Sequence, residues 1–185
     1  MTIFQHLSHI PPLLILFPLF TILYASDVAS NKLVKKVCDQ TSDHSFCINS
    51  LYSDSRTPGA DDYTLAFVSV GLAYANATAT RDYLNSLPSK PSSSYGGDDG
   101  HQGLIRCSRD YSKAVSALLT AYNDLNSESF FELANLAGDC VNAVNDCEAA
   151  VQGITPSPMG KRNGDLKGLC DVFAVVIKSF TVSSG

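Results

Sequence analysis

Six cysteines standing behind an apolar leader constrain this chain more than any other feature. They are Cys38, Cys47, Cys107, Cys140, Cys147 and Cys170. The leader runs from Pro11 to Tyr24, with Leu13, Leu14, Ile15, Leu16, Phe17, Leu19, Phe20, Ile22 and Leu23, and no charged residue precedes Asp27. Pro18 interrupts it, and it is shorter than the ~20 residues of a membrane span. It reads as the apolar region of a signal peptide over residues 1–26, with the small residues Ala25 and Ser26 for cleavage. It departs from the usual pattern in offering only His6 and His9, and no Lys or Arg, ahead of the apolar run. A secreted chain meets an oxidising compartment, where cysteines pair.

Residues 27–185 then form one expected domain of about 160 residues, long enough to bury a core of its own. All thirteen basic and eighteen acidic residues follow the leader, so the mature chain keeps the net charge of −5. The signs are mixed and no basic stripe is present, which excludes nucleic acid as a partner. Removal of the leader leaves no membrane segment. Asn76-Ala77-Thr78 is the single glycosylation sequon, and Asn76 is the candidate acceptor.

The periodicity is helical almost throughout. Asn31–Gln40 and His44–Ser53 are two short segments around the polar turn Thr41-Ser42-Asp43. Leu65, Val68, Leu72, Ala75, Ala79 and Tyr83 place an apolar stripe on a helix that Asp61 or Asp62 can cap and Pro88 ends. Pro88–Gly103 reads as a polar, Gly-rich loop. A second stripe is Leu104, Cys107, Tyr111, Ala114, Leu118, Ala121 and Leu125. Asn126-Ser127 breaks the pattern and offers an N-cap for a helix from about Ser127. Leu133, Ala137, Cys140, Val144, Cys147 and Val151 follow; Gly153–Gly164 is a second loop; Leu166, Leu169, Phe173, Val176 and Phe180 close the series. With no alternating strand pattern, the expectation is an all-α, up-down-up-down four-helix bundle preceded by a helical hairpin.

Distances limit the cysteine pairings without fixing them. Along one helix Cys38 and Cys47 would stand about 13 Å apart, whereas a disulfide needs Cα atoms about 4.4–6.8 Å apart. If they pair, the chain must reverse at Thr41–Asp43. Cys107 and Cys147 lie on core stripes of consecutive antiparallel helices, and a bridge there would be worth roughly 4 kcal/mol in the chain-entropy description. Cys140 and Cys170 either bond across the third and fourth helices or remain small buried thiols. Six cysteines allow fifteen connectivities.

An enzyme has little to work with. His44, in a turn, and His101, in Gly100-His101-Gln102-Gly103, are the only histidines beyond the leader. There is no Gly-x-Ser-x-Gly elbow and no His-Glu-x-x-His. Cys38, His44 and Cys47 do not have zinc-ligand spacing. Asp98-Asp99 reads as solvated loop charge. No catalytic, metal or cofactor residue is expected.

With cysteines and helices placed, the chain resembles the plant invertase and pectin methylesterase inhibitor family. The resemblance covers essentially the whole mature chain. It rests on the leader, on Cys38 followed by Cys47 and Cys107 followed by Cys147, and on local strings. Phe46-Cys47 with Leu51 resembles the family's first hairpin. Cys107-Ser108-Arg109-Asp110-Tyr111-Ser112-Lys113-Ala114-Val115 is similar to its Cys-x3-Tyr-x2-Ala-(Val/Ile) stretch, and Asp146-Cys147-Glu148 to its fourth-cysteine segment. Asp165-Leu166-Lys167-Gly168-Leu169-Cys170-Asp171-Val172 is similar to the last helix of the pectin methylesterase branch. The resemblance implies disulfides Cys38–Cys47 and Cys107–Cys147. It also implies a secreted, non-covalent 1:1 inhibitor of a carbohydrate-active enzyme of the apoplast, cell wall or vacuole. Cys140 departs from the usual five-cysteine pattern and leaves the state of Cys170 open.

The target is pectin methylesterase on the Leu169-Cys170-Asp171 string, with acid invertase as the alternative. Invertase inhibitors of the family can carry Pro-Lys-Phe at the start of the third bundle helix; this chain has Ser129-Phe130-Phe131 there. Adjacent helical positions diverge by about 100°, so Phe130 and Phe131 cannot both face the core, and one of them is the expected aromatic anchor. A rival of another class, a secreted helical carrier of a small apolar ligand, needs a cavity that the bulky stripes do not call for. A third reading, the pro-region of a pectin methylesterase, needs a catalytic domain after Gly185.

Overall fold

The computed structural model describes residues 32–90 and 96–183, with side chains through residue 179. The signal peptide expected over residues 1–26 and the core position expected for the Phe180 side chain lie outside the described residues. The described elements are a helical segment α1 over residues 32–38, α2 (His44–Leu51), a 3₁₀ turn (Thr57–Gly59), α3 (Asp62–Ser86), α4 (Gly97–Asn126), α5 (Leu133–Ala150) and α6 (Gly160–Ser183). No strand occurs among the described residues.

Side-chain caps set two helix starts. Asp43 accepts the Phe46 N–H at 2.9 Å ahead of α2, and Asp61 accepts the Thr64 N–H at 2.7 Å ahead of α3. The α3 helix stops where Leu87 turns extended before Pro88, as a residue preceding proline must. The long helices close a ring in which α3 packs on α4 and α6, and α5 packs on the same two. Cross-links fix their directions. The Tyr63 hydroxyl at the start of α3 donates to the Leu125 carbonyl at the end of α4, at 2.7 Å. Cys107, early in α4, bonds Cys147, late in α5, with Cα atoms 4.4 Å apart. The Arg162 guanidinium near the start of α6 lies 3.9 Å over the Tyr83 ring near the end of α3. Successive helices therefore alternate in direction.

The stripes predicted on α4 and α5 are buried in full, from Leu104 to Leu125 and from Leu133 to Val151. On α3 the expected stripe holds only at its start, where Leu65 and Val68 are fully buried. Ala75 and Ala79 are exposed and Leu72 and Tyr83 half-buried. The buried row that runs the length of the helix is Ala66, Val70, Ala73, Ala77, Thr80 and Leu84, at alternating spacings of four and three. Small residues carry much of it because α3 is wedged between α4 and α6, and spacing alone does not tell which of the helix's alanines lie inside.

Three helix starts also differ from expectation. The loop expected over Pro88–Gly103 ends at Gly96, and His101 lies inside α4. Gly96 takes a left-handed φ of 85°, while Asp98 and Asp99 sit in the first turn, where the helix dipole favours them. Gly103 lets α4 approach α5: a Cβ there would stand 2.5 Å from the Ala150 carbonyl oxygen. Tertiary packing thus makes a helix of a Gly-rich run. Likewise α6 begins at Gly160 rather than Gly164. Asn163, fully buried, accepts the Tyr111 hydroxyl proton at 3.0 Å and anchors that turn. The third difference, at α5, bears on the candidate site.

The N-terminal hairpin is tied to α6. Cys38 bonds Cys47, with Cα atoms 5.5 Å apart. In the turn between them, the Ser42 N–H and hydroxyl both donate to Asp171, at 2.8 and 2.7 Å. Phe46 lies over Gly168, where a Cβ would come within 2.6 Å of the ring.

Candidate functional site

The six cysteines act as staples. Besides the two bonds above, Cys140 and Cys170 are joined, with Cα atoms 6.0 Å apart, so the alternative left open by sequence resolves as a bond between α5 and α6. All six are fully buried. Bonding removes the Cys38 and Cys47 thiolates that zinc would need, and His44, which opens α2, instead sets Nε2 3.3 Å from Asp39. Tyr111, one turn beyond Cys107, is among the largest fully buried side chains, and burial pushes its phenol pKa well above the ordinary value. The Cys-x3-Tyr-x2-Ala string is therefore a packing motif.

The same holds for the string that favoured one target. Leu169 is buried, Cys170 is bonded to Cys140, Asp171 holds the Ser42 turn and Gly168 makes room for Phe46. Gly168 and Asp171 thus dock the hairpin, and Cys170 staples α6 to α5. Asn76 lies in the middle of α3 with its Oδ1 buried, a placement that opposes attachment of a glycan to the same side chain.

Phe130 and Phe131 do not open a helix. Helix α5 starts at Leu133, six residues after the expected Ser127. The intervening turn is a helix stop. Glu128 adopts a left-handed φ of 56°. The Ser129 N–H reaches back to the Asp124 carbonyl at 2.8 Å, and the Glu128 N–H to Leu125 at 3.1 Å. Ser127 therefore closes α4 instead of capping α5. Within this turn Phe130 packs against the core, while Phe131 is 89% exposed. The expected division of one inward and one outward ring is present, on a connection between helices rather than on a first turn.

A shallow groove of about 460 Å³ lies along α4 and α5, the two helices this turn connects. Lys113, Ser116 and Thr120 line it from α4, and Leu136, Asp139, Asn142 and Asp146 from α5. Lys113 is held 2.9 Å from Asp110 and 3.7 Å from Asp146, and its bond to Asp110 raises its pKa. These are the outward positions between the core stripes, which a search for apolar periodicity passes over. Among the described residues no group of His, Cys, Asp and Glu is arranged to hold a metal ion. The arrangement offers a polar groove along two disulfide-linked helices and an exposed aromatic ring on the turn that joins them: equipment for binding a surface.

The comparisons agree with that picture. The sequence model of the plant invertase/pectin methylesterase inhibitor family matches residues 32–174. A cell wall / vacuolar inhibitor of fructosidase from Arabidopsis thaliana is 28% identical over 150 residues, covering 78% of this chain and 81% of its own length. A pectinesterase inhibitor from Actinidia deliciosa is 28% identical over 151 residues, covering 80% and 79%. Among solved structures, a mutant form of a pectin methylesterase inhibitor from Arabidopsis superposes with a TM-score of 0.65 at 20% identity, covering 77% of this chain and 93% of that one. At that identity the superposition establishes the shared fold.

Proposed function

The chain belongs to the plant invertase/pectin methylesterase inhibitor family, and from that membership we propose that it is a secreted inhibitor of pectin methylesterase, binding the enzyme non-covalently and one to one. The family is one of inhibitors, and the chain is an enzyme inhibitor, not an enzyme. The observation that carries the choice of target is the turn before α5. It reads Glu128-Ser129-Phe130-Phe131-Glu132, with Phe131 89% exposed. An acidic, cation-free tip lacks the lysine that the invertase-directed string presents. Relatives named as pectinesterase inhibitors also come from Oryza sativa and Arabidopsis thaliana. In this reading residues 1–26 direct export and residues 27–185 act in the cell wall. No helix among the described residues is long and apolar enough to cross a membrane.

Phe131 enters a pocket of the enzyme, and the α4–α5 groove supplies the polar surround, over an interface of the usual ~1,600 Å². The second reading, inhibition of acid invertase in wall or vacuole, is favoured by the fructosidase inhibitor that matches at the same 28% identity. Initial rates of a plant pectin methylesterase and of an acid invertase, each titrated with the purified mature protein, separate the two. The proposal expects stoichiometric loss of esterase activity with invertase unaffected. The reverse pattern replaces it with the second reading.

A further inference from the structure

We propose that one end of the bundle carries a binding cleft for an acidic oligosaccharide of uronic acid residues, centred on Arg106 and Arg109 of α4. Two depressions flank α4 there and share Arg109 as a wall. The one towards α3 has a volume of about 340 Å³ and the one towards α5 about 390 Å³. Arg106 and Arg109 are exposed and have no ion-pair partner among the described residues. The neighbouring Lys113 is already occupied by Asp110 and Asp146. Two unpaired guanidiniums, about 4.5 Å apart along the helix axis, each offer the two-pronged donor geometry that carboxylates accept.

The α3-side depression supplies the rest of the chemistry. Leu87, Pro88 and Ile105 give it apolar walls, and Ile105 is 44% exposed. His101 and Asn85 stand among them. The Ser108 hydroxyl donates to Asn85 Oδ1 at 2.7 Å, which leaves the amide N–H groups of Asn85 for a ligand hydroxyl. An apolar wall with a few placed polar groups suits a pyranose ring, whose faces are apolar and whose rim is hydroxylated. The walls are helices with their backbone groups bonded internally, so they give an extended peptide no edge to pair with. A carboxylate on the next sugar then meets Arg109 and Arg106. The net charge of −5 works against any polyanion at long range, so the attraction is local and salt screens it. The inference does not depend on which enzyme the protein inhibits.

The test uses the mature protein with its disulfides intact, in a chelator-containing buffer of low ionic strength. Titration calorimetry is run with an α-1,4-linked galacturonic acid octamer, with the same octamer fully methyl-esterified, and with a poly-glutamate of equal charge. The acid octamer is expected to bind at least about tenfold more tightly than either of the others, and more weakly as salt is added. The double variant Arg106→Gln/Arg109→Gln is expected to lose at least about tenfold in affinity at an unchanged melting temperature, because neither side chain supports the fold. No binding of the acid octamer, equal binding of the acid and esterified octamers, equal binding of poly-glutamate, or an unaltered affinity in the double variant overturns the proposal.

Discussion

Replacing Gly168 by alanine should reverse its effect on stability according to whether Phe46 is present. On α6 an alanine gains about 1 kcal/mol over glycine from helix propensity alone. Its Cβ, however, would stand 2.6 Å from Phe46 Cε1, 2.9 Å from Cδ1 and 3.1 Å from Cζ. Phe46 is half-buried and its backbone is pinned. Cys47 beside it is buried and bonded to Cys38, and Ser42 is fastened to Asp171. Overpacking of this kind costs about 1–3 kcal/mol. Taking its middle value, Gly168→Ala should destabilise the protein by about 1 kcal/mol net, a fall in melting temperature of roughly 2–4 °C for a chain of this size. In a Phe46→Ala background the obstruction is gone, and the same substitution should stabilise by about 1 kcal/mol. Urea and thermal unfolding of the four proteins, with disulfides intact, measures both differences. Stabilisation by Gly168→Ala with Phe46 in place would refute the reasoning, because the hairpin would then be resting on α6 rather than locked to it.

Glu128→Gly should stabilise the protein by about 1 kcal/mol, since glycine adopts the left-handed conformation at φ 56° without penalty; calorimetric melting checks this, and a loss of stability would contradict the helix stop. The pair Cys140→Ser/Cys170→Ser removes a closure of 30 residues and should cost about 3.6 kcal/mol in the chain-entropy description; a loss under about 1 kcal/mol in urea unfolding would mean that the third bond contributes little. Asp54 accepts from Arg56, which lowers its pKa from 3.8 to about 2. A depressed carboxylate adds stability above its unfolded pKa and loses it as pH falls through the folded one. Because Arg56 is half exposed, water limits the effect to about 1 kcal/mol. The deficit of Asp54→Ala should therefore be present at pH 5 and shrink towards pH 2, and a deficit that stays constant across that window would reject the assignment.

The stripes of α4, α5 and the described part of α6 were legible because large apolar residues and cysteines repeat there at helical spacing. On α3 only Leu65 and Val68 were; beyond them alanine and threonine carry much of the contact, and only the neighbours' positions show which alanines are inside. The early starts of α4 and α6 were hidden by glycines that weaken a helix in isolation; at Gly103 the glycine is required by the approach of α5. The turn holding Phe130 and Phe131 was misread for a related reason. Asn126-Ser127 looks like a cap for the next helix, yet the backbone uses Ser127 to Ser129 to finish the previous one. At the candidate site, the division of labour between the two phenylalanines was predictable from their adjacency, but which ring faces outward was not. The α4–α5 groove was invisible because outward positions carry no periodic signal. The resemblance in the last helix pointed to the family and to the proposed target, although in the structure Gly168 and Asp171 hold the hairpin and Cys170 staples α6 to α5.

Titration calorimetry of pectin methylesterase with the wild-type protein and with Phe131→Ala bears most directly on the claim that this chain is an inhibitor acting through the turn before α5. The account predicts one-to-one binding by the wild type and a loss of at least about 2 kcal/mol, roughly thirtyfold in affinity, for Phe131→Ala at an unchanged melting temperature. Binding by Phe131→Ala as tight as by the wild type would contradict it, and would move the recognition surface to another face of the bundle.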